Sequence, residues 1–296
     1  MNKLSAPAYY QKFSCIADRC RHSCCIGWEI DVDRKTLKKY KRLRDKAILA
    51  SIAREGTTHF CLTEDERCPH LDEKGLCRII TAHGDGYLCE ICREHPRFYN
   101  NTVKGREVGL GMSCEEACRL ILSEEFTVLE IGKEKGRVHP LHFDALPARE
   151  KIYAVLLDDS LSYTQKLQRI AEEYGISVKA NAALFSSLEY LKEENRVRFR
   201  DAFCPGTQAP VLLEDCLCRA LAYFVYRHVT AARSWSELRM AVGFSLFCER
   251  LLCSLAVEEK AFTFDAFSGL ARTLSEELEY SEENTEKIKL LFLGTA

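Results

Sequence analysis

The sequence has little glycine or proline and no excess of charge of either sign. Its 296 residues include 15 glycines and 7 prolines, and 47% of them are hydrophobic. This composition is not that of a long disordered or low-complexity tract. The 42 basic side chains are balanced by 44 acidic ones, which gives a net charge of -2. The overall charge offers no footprint for nucleic acid, and we expect no nucleic-acid partner.

Long hydrophobic runs are also missing. The first residues, which include Lys3, Pro7 and Lys12, contain no apolar stretch that resembles a signal peptide. The most apolar long region, residues 242–257, is interrupted by Glu249 and Arg250 and is not expected to span a bilayer. We therefore expect a soluble protein in the cytoplasm, with no membrane partner.

What the chain does have is cysteine, at 16 residues. In a reducing compartment disulfides rarely persist, and thiolates instead bind soft metals. Eleven cysteines lie between Cys15 and Cys118, and five lie in the larger remainder: Cys204, Cys216, Cys218, Cys248 and Cys253. The asymmetry predicts two modules, a Cys-rich metal-binding module over residues 1–130 and a helical bundle domain over residues 131–296.

In the first module the sequence predicts short helices and strands separated by irregular loops. Asp33 is placed to cap a helix. Four apolar residues follow it at helical spacing: Leu37, Tyr40, Leu43 and Ala47. Glycine and proline recur too often over residues 61–112 for long helices, so we expect loops there. Ser113 and Glu116 form a capping-box pattern that predicts a helix starting at Cys114.

Beyond residue 131, apolar side chains recur at helical spacing in three segments. They are Leu167, Ile170, Ala171 and Tyr174; then Leu217, Leu221, Phe224, Val225 and His228; then Phe267, Leu270, Ala271, Leu274 and Leu278. The predicted fold class is therefore mainly α, with an irregular, metal-stapled N-terminal module followed by a C-terminal helical bundle.

Nine cysteines are the candidate metal ligands: Cys15, Cys20, Cys24, Cys25, Cys68, Cys77, Cys89, Cys92 and Cys114. Cys89 and Cys92 are separated by two residues, a spacing at which a single turn grips one metal centre. Cys114 lies at a predicted helix N-terminus, where unpaired amides and the helix dipole favour the thiolate. A lone cysteine is more often a small buried apolar residue. We keep that interpretation for Cys61, Cys118 and the five distal cysteines.

The scatter of the candidate ligands bears on the identity of the metal. Zinc fingers show two regular pairs, whereas cuboidal iron–sulfur clusters accept scattered ligands, including one far along the chain. We therefore favour an iron–sulfur cluster, a [4Fe–4S] cluster above other types, with zinc as the alternative. The side chains of the adjacent Cys24 and Cys25 are expected to point apart. One of them then ligates, and the other packs or serves a second centre.

Several segments of the sequence match the pattern of a known family. They are residues 13–28, with Cys15, Cys20, Cys24 and Cys25; residues 68–79, with Cys68 and Cys77; residues 88–97, with Cys89 and Cys92; and residues 113–116, Ser-Cys-Glu-Glu. Together they resemble flagellin lysine N-methylases. The similarity extends to residues 223–228 and 279–284, so that it covers nearly the whole chain. The middle segments also resemble a broader group of cysteine-cluster proteins that chelate zinc or iron.

The resemblance implies that a methyl group is transferred from S-adenosylmethionine to lysine side chains of flagellin by a protein with an iron–sulfur cluster. Two positions depart from the family pattern. Glu115 stands where proline is expected after Cys114, and His95 stands where tyrosine is expected before Pro96. Neither departure removes a thiol, so the metal assignment is unchanged.

Methyl transfer to lysine requires a neutral amine, which a desolvating site or a base provides, held in line with the sulfonium methyl. Tyr223, Tyr226 and Arg227 can line a cleft for the amine or the cofactor. The same pattern is typical of an aromatic core stripe from which arginine reaches solvent, and we favour that interpretation. The sequence assigns no catalytic residue.

The role of the cluster has more than one interpretation. Radical enzymes bind S-adenosylmethionine at an open iron held by Cys-x3-Cys-x2-Cys, but Cys20 and Cys24 are not followed by a third cysteine at that offset. A structural cluster is therefore favoured over a radical one. A non-catalytic metal-binding or electron-transfer module, and a zinc-stabilised interaction protein, are the alternatives to a methyltransferase.

Overall fold

The structure is a computed structural model that describes residues 2–53, 56–134, 141–180 and 182–294. The chain forms two compact units. The cysteine-rich unit consists of Ser14–Arg97 and Cys114–Glu116, and the helical unit consists of Met1–Phe13, Phe98–Ser113 and Ala117–Ala296. These bounds differ from the predicted division at residue 130, because the N-terminal strand and residues 98–113 belong with the helical unit.

The regular elements are given in chain order. They are β1 (Asn2–Pro7), α1 (Arg34–Leu43), α2 (Lys46–Ala50), β2 (Ile52–Ala53), β3 (His59–Phe60), α3 (Arg78–His83), α4 (Glu90–Glu94), β4 (Arg97–Thr102), β5 (Gly105–Leu110), α5 (Glu115–Ser123), β6 (Val128–Glu134), α6 (Leu146–Leu156), α7 (Tyr163–Glu173), α8 (Ala182–Ser187), α9 (Glu193–Ala202), α10 (Glu214–Phe224), α11 (Trp235–Glu258), α12 (Phe264–Leu278) and α13 (Glu282–Leu290). The prediction of a mainly α fold is confirmed.

The cysteine-rich unit is built from short elements. Asp33 caps α1 as predicted, since its carboxylate accepts hydrogen bonds from the backbone amides of Lys35 and Thr36. Arg44 then adopts a left-handed conformation with φ of 57° and ends the helix. Ala47, which was expected to continue α1, therefore belongs to α2. The apolar core of this unit is a small cluster around Tyr40, Phe60 and Ile79.

The helical unit contains a four-stranded sheet in the order β4-β5-β1-β6. β1 pairs parallel with β5 and antiparallel with β6. This sheet was not predicted: residues 61–112 were expected to be loops, and residues 97–110 form β4 and β5 instead. Gly105, at φ of 144°, and Gly109, against the ring of Phe98, occupy positions where a Cβ would clash. Here glycine therefore marks close strand packing.

Three predicted helical segments are confirmed as parts of α7, α10 and α12. α10 continues into a π-helical turn over Val225–Val229. α11 lies at the centre of the unit and packs against α9, α10, α12 and α13. By length and composition it is a candidate membrane span, with a mean hydropathy of 1.6 over its most apolar window, but 83% of that window is buried inside the protein. This degree of burial is typical of the core helix of a folded domain.

The predicted capping box at Ser113 does not form. α5 begins at Glu115, one residue later than expected. The Ser113 hydroxyl is buried and has no hydrogen-bond partner in the described part of the chain. A capping box that was not predicted is present at Ser162 and Gln165, where each side chain bonds the backbone of the other residue at the start of α7.

Candidate metal centre

All nine candidate ligands lie in the cysteine-rich unit, together with Cys61. Cys118 and the five distal cysteines lie in the helical unit. Cys118, Cys248 and Cys253 are buried, which agrees with their interpretation as packing residues. Cys61 and Cys204 are exposed, so burial does not account for these two.

Five of the candidate thiols pack together with the apolar core of their unit, and we call them the inner thiol group: Cys25, Cys68, Cys77, Cys89 and Cys92. Cys68 and Cys89 are buried, at 6% and 1% exposure. The Cys68 amide donates a hydrogen bond of 2.8 Å to the Cys25 carbonyl. The Tyr40 hydroxyl lies 3.5 Å from the Cys89 sulfur and donates to the Tyr87 carbonyl at 2.8 Å.

The inner thiols also raise the pKa values of some of their neighbours in the group. Burial raises the pKa of Cys68 to about 11, and the thiolates of Cys25, Cys77 and Cys89 add to that shift. A hydrogen bond with Cys89, followed by burial, raises the pKa of Cys92 far above its usual value. Several thiolates in one apolar surrounding repel each other, and a bound cation would relieve that repulsion.

The remaining four candidates lie outside the apolar core, and we call them the outer thiol group: Cys15, Cys20, Cys24 and Cys114. Cys15 and Cys24 are exposed, and Cys20 and Cys114 are half-buried. The pKa of Cys24 is raised far above its usual value, first by a hydrogen bond with Cys25, then by burial of the sulfur and by the thiolates of Cys25, Cys114 and Cys15.

The Glu115 carboxylate ties the loop that carries Cys20 to the start of α5. It accepts hydrogen bonds from the Arg21 amide at 2.8 Å and from the His22 amide at 3.2 Å, and it forms an ion pair with the Arg21 side chain at 3.0 Å. The Cys20 sulfur lies 3.6 Å from the same carboxylate. Cys114 directly precedes Glu115 in the chain, so these bonds connect the loop that carries Cys20 to the residue that follows Cys114.

The adjacent Cys24 and Cys25 do not point apart as expected. A hydrogen bond from Cys24 is the largest cause that lowers the pKa of Cys25, to about 7, and a bond to the Ser23 hydroxyl and the charge of Arg67 act in the same direction. The expectation was wrong because the chain turns at these residues, and the two adjacent side chains are hydrogen-bonded to each other. A lowered pKa favours the thiolate, which is the form that ligates metal.

The distances between candidate ligands limit the kind of metal site that the unit can form. Across residues 2–53, 56–134, 141–180 and 182–294, no group of three or more His, Cys, Asp or Glu side chains lies close enough to hold a single ion. A tetrahedral zinc ion with bonds of about 2.3 Å needs sulfurs roughly 3.8 Å apart. In an iron–sulfur cluster each thiolate binds a different iron, so the sulfurs lie farther apart. The described residues therefore contain no preformed site for a single ion, and the identity of the metal stays a prediction.

Tyr223 and Tyr226 do not line a cleft. Both side chains are fully buried in the helical unit, which confirms the core interpretation. The Tyr223 hydroxyl donates to Glu279 at 2.9 Å and accepts from Arg227 at 2.9 Å. His228 bonds the same carboxylate at 2.7 Å. Arg227 is held in this network, and its guanidinium does not extend into solvent as the pattern suggested.

A depression on the helical unit is small. It is bordered by Asn101, Phe143 and Arg233, and its empty volume of about 170 Å³ includes space open to solvent. Pockets that enclose a ligand of the size of S-adenosylmethionine usually measure roughly 300–1,000 Å³. This depression is therefore not assigned to the methyl donor.

Sequence reasoning missed Glu115 and Tyr40 as residues that hold the thiols in place. Glu115 was noted as a departure from a family pattern, and Tyr40 as an apolar position on α1. A carboxylate at the start of a helix is a usable signal, because it is placed to accept bonds from a neighbouring loop. Tyr40 gave no signal of its own, since its contact with Cys89 joins residues 49 positions apart.

The chain matches three known proteins over part of its length. It is 31% identical over 135 positions to a lysine-N-methylase of Salmonella choleraesuis (strain SC-B67), a match that covers 41% of this chain and 33% of that relative. A lysine-N-methylase of Salmonella typhimurium (strain LT2) is 30% identical over the same shares. The flagellar biosynthetic protein FliU of Salmonella muenchen is 28% identical over 144 positions, which cover 45% of this chain and 84% of FliU.

These matches agree with the resemblance noted above at moderate identity, but they cover less of the chain than that resemblance implied. The chain spans about a third of the length of the two lysine-N-methylases that it matches. No family model matches the sequence. No solved structure matches it.

Proposed function

We propose that the chain acts in protein-lysine N-methylation of flagellin, with S-adenosylmethionine as the methyl donor and an iron–sulfur cluster in the cysteine-rich unit. The observation that carries the proposal is the match, at 31% identity over 135 positions, to a protein named lysine-N-methylase. The match to FliU, over 84% of that protein, supports a flagellar substrate. The cytoplasm is the proposed location, and the match to the flagellar biosynthetic protein FliU is its support.

The reaction is a nucleophilic substitution. The neutral ε-amine of a flagellin lysine attacks the sulfonium methyl group, a nitrogen–carbon bond forms, and the carbon–sulfur bond breaks to release S-adenosylhomocysteine. The methylated amine then loses a proton to a base or to water. The chain must therefore desolvate the lysine and hold it in line with the methyl group. No residue is assigned to this step.

An iron–sulfur cluster is proposed over zinc for the cysteine-rich unit. The support comes from the donor set, because nine candidate thiols scattered along the chain lie in one unit, and an iron–sulfur cluster accepts scattered ligands. When bound, a cluster of this kind supplies a rigid inorganic centre that several loops share. The thiols themselves then fix the loops over residues 14–33 and 61–77, which contain little regular structure.

The activity is tested with anaerobically purified protein. The protein is incubated with flagellin and S-adenosylmethionine, and lysine methylation is measured by mass spectrometry of flagellin peptides. Methylated lysines that depend on both the protein and the methyl donor are expected. The Cys61→Ser variant should methylate flagellin as the wild type does, because Cys61 is an exposed thiol of the same unit that belongs to neither thiol group. Unmodified flagellin after incubation with iron-loaded protein contradicts the proposal.

A second candidate is a non-catalytic metal-binding or electron-transfer module. The burial of Tyr223 and Tyr226 favours it, because these side chains are not available to bind a lysine or a cofactor. The same incubation separates the two functions, since this module holds iron and acid-labile sulfide without methylating flagellin. A colourless preparation that contains zinc instead of iron would indicate a zinc-stabilised interaction protein.

A further inference from the structure

Helix α1 carries the densest run of basic side chains in the sequence. Residues 34–46 contain eight Lys and Arg residues and one acidic residue, whereas the rest of the chain contains 34 basic and 43 acidic ones. Six of the basic side chains, on α1 and at its C-cap, are exposed, and we call them the basic face: Arg34, Lys35, Lys38, Lys41, Arg42 and Arg44. The positive charge of this segment is therefore presented to solvent.

The basic face has no carboxylate of its own chain to pair with. Among the described residues, no Asp or Glu side chain forms an ion pair with any of its six members. The acidic residues that flank α1 have other partners. Asp33 caps α1, and Asp45 caps α2 and bonds His83 at 2.9 Å. The charges of the basic face are therefore available to a partner.

The sequence of this face is unfavourable for the helix that carries it. Arg34, Lys38 and Arg42 follow one another at intervals of four residues, at which like charges on a helix repel. The first turn contains Arg34 and Lys35 and no acidic residue, although the helix dipole favours negative charge there. Arg44 adopts φ of 57°, a conformation that favours glycine. Departures from local preference are expected at functional surfaces, and each of these departures retains a positive charge.

The opposite face of α1 is fixed to the core of the cysteine-rich unit. Thr36 and Tyr40 are buried, and the Tyr40 hydroxyl lies 3.5 Å from the Cys89 sulfur. The Lys39 ammonium donates to the Gly86 carbonyl at 2.7 Å. The backbone of the basic face is therefore ordered before any partner binds, which lowers the entropic cost of binding.

Three classes of partner present enough negative charge for this face: an acidic protein segment, a nucleic acid and an anionic membrane. Single-stranded nucleic acids stack their bases on aromatic side chains, and the aromatic residue of α1, Tyr40, is buried. A long duplex would also meet a chain that is otherwise net acidic. A helix that lies on a membrane inserts apolar side chains, whereas Leu37 and Leu43 pack against the core. The observations favour an acidic protein segment.

We propose that the basic face is a docking surface for a partner protein, which it binds through a segment rich in Asp and Glu. The carboxylates of that segment pair with lysine and arginine side chains that have no competing ion pair in the described part of the chain. Complementary charge speeds the encounter and excludes basic partners. A partner bound here lies across one helix from the inner thiol group, because Tyr40 contacts Cys89 from the other side of α1.

Binding is tested with the full chain by fluorescence anisotropy of a fluorescein-labelled oligoglutamate peptide. Lys38→Glu/Arg42→Glu reverses two charges of the basic face. Lys179→Glu/Lys260→Glu is the matched control, because it reverses two exposed charges of the helical unit. The two double variants have the same net charge, so a difference between them reports the position of the charges. Hydrogen exchange of the wild type, with and without the peptide, locates the binding surface.

The wild type should bind the peptide, and the affinity should fall as salt is raised to about 0.15 M, because exposed charges are screened. The variant of the basic face should bind at least about tenfold more weakly, since it opposes like charges. The control should stay within about twofold of the wild type. The peptide should slow amide exchange over residues 34–46. This measurement uses the wild type and decides the question if circular dichroism shows that the charge reversal disturbs the fold.

Several results would overturn the proposal. They are an absence of peptide binding at low salt, equal losses of affinity in the two double variants, and slowed exchange only outside residues 34–46. Tighter binding of a DNA duplex of equal charge through Lys38 and Arg42 would assign the face to nucleic acid. Vesicles of phosphatidylcholine and phosphatidylglycerol that displace the peptide from the wild type would assign it to a membrane. The proposal is independent of methyl transfer, so a failure of flagellin methylation leaves it unaffected.

Discussion

The two units of the chain use different means to form a stable fold. The helical unit contains the 24-residue helix α11 and most of the largest fully buried side chains. The longest helix of the cysteine-rich unit, α1, has 10 residues. Its apolar core is a small cluster with two large aromatic side chains, Tyr40 and Phe60. A unit with so small a core is marginally stable without a cross-link or a metal.

The comparison predicts that loss of metal affects one unit far more than the other. Structural metal sites supply on the order of 10 kcal/mol of folding free energy. After chelation of iron, amide protection over residues 14–97 should fall close to that of an unfolded chain. Protection in α10, α11 and α12 should remain, because that core is apolar and contains no candidate ligand. Hydrogen exchange with mass spectrometry measures both units in one sample.

The control for this experiment is the same chelator treatment of the Cys61→Ser variant, which should reproduce the wild type. Unchanged protection of residues 14–97 after complete removal of iron would contradict the comparison. The thiols would then be packing residues, and the apolar cluster around Tyr40 would be sufficient to hold the unit.

The second prediction concerns a buried ion pair of the helical unit. Arg149 forms two hydrogen bonds to Glu107, at 2.5 and 3.0 Å, and a third to Thr230 at 2.9 Å. Both charged side chains are at most 7% exposed. Glu107→Gln removes the negative charge and leaves a buried cation, which should destabilise the helical unit by about 3–5 kcal/mol. Urea unfolding followed by exchange in α6 and β5 measures this loss.

Glu130→Gln is the matched control for that change. Glu130 pairs with Lys3 at 2.9 Å in the same sheet, but the two side chains are 42% and 62% exposed. Solvent screens such a pair, so little change in stability is expected. Equal effects of the two variants would mean that the Glu107 carboxylate is not buried as the structure has it. The iron content should be the same in both variants.

Elements stabilised by neighbours in the sequence were predictable. α12 follows from the apolar spacing that begins at Phe267, and the cap of α1 follows from Asp33. The same kind of pattern gave a wrong prediction at Ser113, whose hydroxyl is buried without a hydrogen-bond partner in the described residues. At Ser162 a capping box is present that the sequence analysis did not predict.

Elements stabilised by distant partners were not predictable from local pattern. β1 pairs with strands that begin more than 100 residues later, at Gly105 and Val128. Alternation of apolar residues cannot identify such a partner. The same limit applies to the candidate metal centre. Spacing identified the nine thiols, but their separation into two groups depends on the packing around Tyr40 and on the position of Glu115.

The third prediction concerns acid, which should weaken the helical unit through His228. Burial lowers the pKa of His228 to about 4; Arg227 and Lys289 act in the same direction, and Glu279 opposes them. In the unfolded chain the pKa is near 6.5, so the unfolded state binds a proton first as the pH falls. Stability is therefore complete above pH 6.5 and is lost as the pH falls towards 4, by at most about 3 kcal/mol.

His228→Gln should flatten this part of the pH profile, because glutamine keeps a donor for Glu279 but does not titrate. Hydrogen exchange in α10 and α12 is measured at several pH values, and the slope of the free energy of unfolding against pH is compared. A substitution that only destabilises the fold would lower the free energy at every pH and leave this slope unchanged. His83→Gln, in the cysteine-rich unit, is the control and should leave that slope as it is in the wild type. A variant profile as steep as that of the wild type would assign the acid sensitivity to other groups.

The smallest predicted effect compares one helix cap in each unit. Asp33→Ala removes the cap of α1, and Ser281→Ala removes the cap of α13, where the hydroxyl accepts from the Asn284 amide at 3.1 Å. Loss of an N-cap costs about 1 kcal/mol in either unit.

Asp33 also accepts a hydrogen bond from the Glu90 amide at 2.9 Å, next to Cys89. Asp33→Ala should therefore also speed the release of iron from the inner thiol group to a chelator, whereas Ser281→Ala should not. Equal release rates in the two variants would show that the inner group does not depend on this link between α1 and α4.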